Sequence, residues 1–373
     1  MNQSIHLEVH VSSAHPRRPM RFAAVAAFAV VVALVAGCSN GTGGGTAVPP
    51  SNPPAASLGA GESPEASITP TKLVVGLGYI PSVQFAQFYL AQQNGYYADA
   101  GLDVEFQNKI DPELVTLVGQ GAIDVGIGDG TSVVPAVSRA IPVAYIATIY
   151  GKFPNVVFAK DSSGIKTAAD LKGKKIGTPG RYGSGWIMLQ ALLASANLKV
   201  DDVEIVEYPD FTQEAAVELG TVDAATGFAN NEPVQLELHG QKPSILRIDA
   251  ITPLPGPGLI AGTKTLDAKH DAIAAFVTAT LQAMEEIKAD PTVGLDAAIK
   301  AVPDLAKDKE TQAALLAATI DTWTGSTQEA HGLGAIDRAG WDASIPFLQS
   351  LGLTKDPVTT DQLIREDLLP AGG

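Results

Sequence analysis

Between Lys72 and Ile248, short apolar runs alternate with helix-patterned segments, and this alternation restricts the chain to a layered α/β fold. Strands are predicted at Lys72–Leu77, Leu102–Phe106, Ile123–Ile127, Val143–Tyr150 and Val156–Ala159. A second series follows at Lys175–Gly177, Val203–Tyr208, Ala224–Phe228 and Ile245–Ile248, with a return strand at Leu259–Ala261. An amphipathic helix is predicted from Ser82, a plausible N-cap, to near Gly95, with Phe85, Phe88 and Tyr89 at helical spacing. Thr167-Ala168-Ala169-Asp170 has the form of a capping box. Thr178–Gly185 reads as a Gly-rich loop before a helix at Trp186–Ala196. From Ala268 onward the pattern is nearly all helical. Strand–helix alternation implies mostly parallel sheets. The chain leaves one block near Val156–Lys160 and returns near Ala250–Gly262, through the hinge-like Pro253–Gly258. The expected architecture is a two-lobed clamshell with two interlobe crossings and a helical C-terminal tail.

The N-terminus reads as an address. Arg17, Arg18 and Arg21 precede a 15-residue apolar run, Phe22–Ala36, followed by Gly37 and Cys38, the only cysteine. A basic segment, a short apolar core and a small-residue cleavage site make a secretory signal peptide. The run is shorter than the roughly 20 residues of a membrane-spanning helix. Val35-Ala36-Gly37-Cys38 resembles a bacterial lipobox, in which the cysteine is acylated and begins the mature protein. Met20 is an alternative start that preserves this segment. Residues 39–70 are rich in Gly, Ser, Pro, Ala and Thr without apolar periodicity, and read as a disordered tether with a reach of about 30 Å. The expected organisation is signal peptide 1–37, lipidated Cys38 and linker 38–70, one lobe from 71–158 plus 258–373, and a second from 159–257.

Composition narrows the function. The formal charge of −15 becomes −17 when cleavage removes three arginines and Glu8. Such acidity argues against nucleic acid and against a basic membrane-binding face, leaving lipid as the membrane contact. The remaining histidines, His239, His270 and His331, have no ligand spacing, so no metal site is expected. No disulfide can form. Gly126–Gly130 lacks the G-x-G-x-x-G spacing, Ser184 lies between glycines but Tyr182 and Trp186 occupy the positions that G-x-S-x-G needs as glycine, and no lysine is placed as in a P-loop. Neither catalytic residues nor a cofactor are expected.

In open α/β sheets, ligands sit beyond the carboxyl ends of the strands. Here those ends carry the unusual residues: Tyr79–Ser82, Gly128–Ser132, Thr178–Gly185 and Ala229–Glu232. Gly78-Tyr79-Ile80-Pro81-Ser82-Val83-Gln84-Phe85-Ala86 resembles type II periplasmic solute-binding proteins. Gly95-Tyr96-Tyr97 and Ala100-Gly101-Leu102-Asp103-Val104 continue the match. It looks like the branch that includes binders of thiamine-pyrimidine precursors, riboflavin, and sulfonate or nitrate. Asp170–Gly177 is typical of the same superfamily, and Asn230-Asn231-Glu232-Pro233-Val234 looks like members that bind flat nitrogen heterocycles. Pyrimidine-precursor binders tend to carry Trp-x-x-Pro-Asn and then His in the first loop. Here Tyr79 and Ser82 stand in place of the Trp and Asn, with one residue fewer before Pro81, and no His follows, so the motif is more similar to riboflavin-binding members. Relatives that act in pyrimidine synthesis carry a cysteine cluster that this chain lacks. The resemblance implies a lipid-anchored extracytoplasmic receptor, monomeric, serving an ABC permease and its ATPase.

A flat heteroaromatic ligand needs apolar faces and a polar rim. The expected faces are Tyr79, Phe85, Tyr150, Tyr182 and Trp186, with Phe153 and Phe228 nearby, although core packing competes for Phe85 and Phe228. The expected rim is Ser82, Gln84, Asp129, Asn230, Asn231 and Glu232. A helix cap competes for Asp129, and a helix-terminal carboxylate for Glu232. An anionic ligand would instead use Arg181, Ser184, Thr131 and Ser132 at helix N-termini. A ligand-sensing domain without transport is the alternative class.

Overall fold

The computed structural model describes residues 69–370 apart from positions 250 and 252. The leader, Cys38 and the linker up to residue 68 lie outside the described residues. Among the described residues, ten strands form two five-stranded sheets. The first holds β1 (Thr71–Gly76), β2 (Leu102–Gln107), β3 (Val125–Gly128), β4 (Val143–Thr148) and β10 (Gly258–Gly262), in the order β2-β1-β3-β10-β4. The second holds β5 (Asn155–Lys160), β6 (Lys175–Thr178), β7 (Glu204–Glu207), β8 (Ala224–Phe228) and β9 (Pro243–Arg247), in the order β7-β6-β8-β5-β9. Every strand predicted from the sequence is present within a few residues.

The sheets are mixed rather than mostly parallel. β1 runs parallel to β2 and β3, and β6 parallel to β7 and β8. β10 is antiparallel to both β3 and β4, and β5 to both β8 and β9. These two exceptions are the first strands after each passage between the sheets. A strand entered from the cleft side must point away from it, whereas the others end there. The passages comprise residues 149–154 and 248–257. All six residues of β5 pair in the second sheet, so a boundary at 158/159 falls inside a strand.

The two passages are fastened to each other and to the C-terminal helices. Ile149 and Tyr150 N–H donate to Pro257 O at 3.2 and 2.8 Å, and Gly130 N–H to Pro255 O at 3.0 Å. Gly151 and Lys152 N–H donate to Trp323 O and Thr322 O at 3.2 and 3.0 Å. Gly151 has no room for a side chain, because a Cβ there would lie 2.5 Å from the backbone N of Gly325.

The helix Ala86–Gln93 is not amphipathic as predicted: residues Ala86–Ala91 are buried without interruption. Its second cover is the C-terminal region, where the helices Thr263–Ala289 and Pro291–Ala301 pack on it. Phe88 and Tyr97 stack on Phe276, with ring centroids 6.3 and 5.0 Å away. In the second lobe, Met188, Leu189 and Leu192 pack under Val157 and Ile176. Among the described residues, no helix is long and apolar enough to cross a membrane.

The helix predicted from Trp186 begins earlier, and two others likewise start directly at strand ends. They start at Gly130, Gly183 and Glu232, directly after the strand-end residues. Stretches read as loops are thus first helical turns. The Thr167–Asp170 cap forms as expected, with Thr167 N–H and Oγ1 both donating to Asp170 Oδ2 at 2.8 Å.

Candidate functional site

A cavity of about 320 Å³ lies where the strand ends of the two sheets meet. That is the lower end of the usual range for small-molecule sites. Its walls come from the segments after β1, β2 and β3 on one side and after β6, β7 and β8 on the other. The surface is mostly apolar, with Phe85, Ile127, Ile149, Tyr150 and Phe228 forming much of it.

Two rings meet edge to face at this cleft. Tyr79, after β1, lies 5.3 Å from Phe211, after β7, at an interplanar angle of 76°. Phe211 has φ +60°, the left-handed region that a bulky L-residue rarely adopts. Strained residues of this kind cluster at ligand sites, because the surrounding fold holds them there. Burial, with a smaller contribution from the Glu232 carboxylate, pushes the Tyr79 phenol up to about 12. It therefore stays protonated and can donate a hydrogen bond. Tyr182 lines the same cavity while remaining 45% exposed.

The carboxylates have structural partners. Asp129 caps the helix Gly130–Ser138: Oδ1 accepts from Ser132 N–H at 3.0 Å and from Thr131 Oγ1 at 2.7 Å. Burial raises its pKa, and these hydrogen bonds partly offset the rise. Glu232 Oε2 accepts from Phe228 N–H at 2.8 Å and Oε1 from Gln213 Nε2 at 3.1 Å. Burial pushes the Glu232 carboxyl up to about 7. Asn231 also lines the cavity, with its Oδ1 accepting from Gln235 Nε2 at 2.8 Å.

Eight residues expected at the site line this cavity: Tyr79, Gln84, Phe85, Asp129, Tyr150, Tyr182, Asn231 and Glu232. Three do not. Ser82 is spent as an N-cap, accepting from Gln84 N–H at 3.3 Å. Trp186 lies one turn along its helix and carries the Arg181 guanidinium 5.5 Å from its ring. Asn230 turns away into the protein: its Nδ2 donates to Thr319 Oγ1 at 3.0 Å and lies 3.3 Å from Gln84 Oε1 and 3.5 Å from Tyr150 Oη. It ties both lobes to the C-terminal helices.

Other lining residues were not anticipated. Gln87, Phe211 and the segment Ile110–Pro112 all face the cavity. Phe211 and Ile110 had a readable signal, an apolar residue stranded in a polar strand-end loop. Gln87 had none.

No Lys, Arg or His lines the cavity among the described residues. Arg181 points instead to Glu207, with Nε 3.1 Å from Oε1. Lys109 pairs at 3.0 Å with Asp111, one of three lining carboxylates. Elsewhere, Glu214, Glu218 and His239 bring their potential ligand atoms within 4.8 Å of one another. His239 Nδ1 is 3.1 Å from Glu218 Oε2 and 3.5 Å from Glu214 Oε1, which is imidazole–carboxylate pairing at a half-exposed edge.

Comparison with known proteins fits this geometry. Residues 82–293 match the family described as NMT1/THI5 like. The riboflavin-binding protein RibY of Chloroflexus aurantiacus is 30% identical over 348 residues, covering 92% of this chain and 96% of that protein. The 4-amino-5-hydroxymethyl-2-methylpyrimidine phosphate synthase of Aspergillus parasiticus is 30% identical over 225 residues, 57% of this chain and 65% of that protein. The periplasmic aliphatic sulphonate binding protein SsuA from Escherichia coli has a similar fold, with TM-score 0.60 at 18% identity over 80% of this chain and 99% of that one. That last likeness concerns the fold: an α/β, two-lobed periplasmic-binding-protein clamshell with a helical C-terminal region. A family match over more than half of the chain, and a relative aligned along nearly its whole length, establish that the chain belongs to the NMT1/THI5-like family.

Proposed function

We propose that this protein is the lipid-anchored, extracytoplasmic solute receptor of an ABC importer, and that its cleft captures riboflavin or a related flat nitrogen heterocycle. The carrying observation is the composition of the cavity wall: aromatic rings and carboxamides, three carboxylates, and no basic side chain. A sulfonate, nitrate or phosphate would meet a wall that bears carboxylates and no basic side chain, which low-dielectric surroundings penalise. A neutral heterocycle meets ring faces and polar groups suited to its edge. The alignment with a riboflavin-binding relative along nearly its whole length supports the same reading.

Synthases also occur among the relatives. Binding without catalysis is favoured here because the chain has a single cysteine, Cys38, and so lacks the cysteine cluster that the family resemblance implies for such synthases.

Calorimetric titration tests the ligand class. Riboflavin is expected to bind at least about 100-fold more tightly than an alkanesulfonate, a difference of about 2.7 kcal/mol. Tight sulfonate binding with no flavin response would transfer the site to the anion reading. Anchoring is tested separately in the native cell. Cys38→Ala is expected to shift the protein from the membrane to the soluble exported fraction, because lipid is its proposed hold on the membrane. A processed variant that still sediments with membrane would refute the anchor.

A further inference from the structure

Among the described residues that line the cleft, Gln87 alone carries a buried side-chain acceptor with no hydrogen-bond partner. It is 1% exposed, and its Oε1 meets neither backbone nor side-chain donor. Leaving such a group unpaired is costly, and a fold retains it most readily where something else supplies the partner. The other carboxylates and carboxamides of the wall already accept hydrogen bonds from the protein. Both Glu232 oxygens accept from the protein, Asp129 spends Oδ1 on its helix cap, and Asn231 Oδ1 accepts from Gln235. Gln84, one helical turn before Gln87, uses Oε1 toward Asn230. Both carboxamides line the same side of the cleft.

We propose that Gln87 is a specificity-determining residue of the cleft, its carboxamide pairing with a ring edge that presents an N–H beside a C=O. A carboxamide offers one acceptor and an adjacent donor, the complement of such an edge. The imide of the flavin pyrimidine ring has this pattern. The inference rests on the heterocycle-binding reading and adds which edge is read and by which residue. It places recognition of a ring N–H on a helix of the lobe opposite Glu232, whose oxygens are taken.

The experiment titrates wild type and Gln87→Leu with riboflavin and with its N3-methylated derivative, alongside ligand-free melting curves. Wild type is expected to prefer riboflavin by about 10-fold or more, the usual cost of an unpaired polar group. Gln87→Leu is expected to lose about 10-fold or more in riboflavin affinity and to bind the two ligands alike. Its ligand-free melting temperature should hold or rise, because the substitution removes a buried unpaired group. A purely structural glutamine would instead lower the melting temperature and leave the preference intact. Retained riboflavin affinity and retained N3 preference in Gln87→Leu would overturn the proposal while leaving flavin binding standing. No riboflavin binding by wild type would overturn both.

Discussion

Removing both rings that meet at the cleft, in Tyr79→Ala/Phe211→Ala, is expected to weaken riboflavin binding by about 100-fold. Stacking of a flat heterocycle on an aromatic side chain contributes roughly 1–3 kcal/mol by alanine substitution. Two such rings therefore account for about two decades of affinity. The single variants should each lose about 10-fold. Phe211→Gly supplies the control. Phe211 is held at φ +60°, which costs an L-residue about 1–2 kcal/mol and costs glycine nothing. This variant should therefore lose affinity while its ligand-free melting temperature stays level or rises. Calorimetry and thermal melts read the two quantities independently. If the double variant binds as wild type does, the Tyr79–Phe211 pair is only packing and the ligand lies elsewhere in the cleft.

The second large effect is on stability against pH. Glu232 has a folded-state pKa of about 7 against an ordinary value of 4.5. Between those values the folded protein holds a proton that the unfolded chain has released. Stability then falls as pH rises through this window, because the unfolded state binds fewer protons. The full contribution is present below about pH 4.5 and has been lost above about pH 7. Each pKa unit corresponds to 1.36 kcal/mol, so the change is at most about 3 kcal/mol. Gln213 and Phe228 N–H hold the carboxyl in place, and Gln imitates its neutral form. Glu232→Gln should therefore match wild type near pH 5 and exceed it near pH 8, by roughly 6–12 °C in melting temperature. A wild-type minus variant difference that is flat from pH 5 to 8 would show that this carboxyl titrates normally.

The strand ends were legible because most strands are short apolar or alternating runs with a glycine or proline within a few residues of their ends. That pattern located Tyr79, Gln84, Asp129, Tyr182, Asn231 and Glu232 on the cavity wall. What those residues do there was less legible. Asp129 and Glu232 were read as groups that could face a ligand or serve a helix. The structure gives both carboxylates backbone donors, Ser132 N–H for Asp129 and Phe228 N–H for Glu232, where each strand passes into the next helix. The two neighbouring asparagines look alike in sequence. Asn231 faces the cavity, whereas Asn230 is drawn to Thr319 on a helix the sequence could not place beside it.

The sequence by itself determined the two α/β blocks, the two passages between them and the helical C-terminal region. These follow from local periodicity and from glycine and proline, which act within a few residues of where they stand. Only the tertiary structure decided the direction of β5 and β10, the burial of the helix Ala86–Gln93 and the prominence of Gln87 and Phe211. Each of these depends on segments brought together from distant parts of the chain. Gln87 is buried among lobe-one elements that include helices beyond residue 262, and Phe211 is held in a left-handed turn opposite Tyr79. A polar residue in mid-helix and an aromatic in a loop have no local pattern that states their role. Their energetics come from desolvation and from a neighbour's position, and those exist only once the lobes have packed.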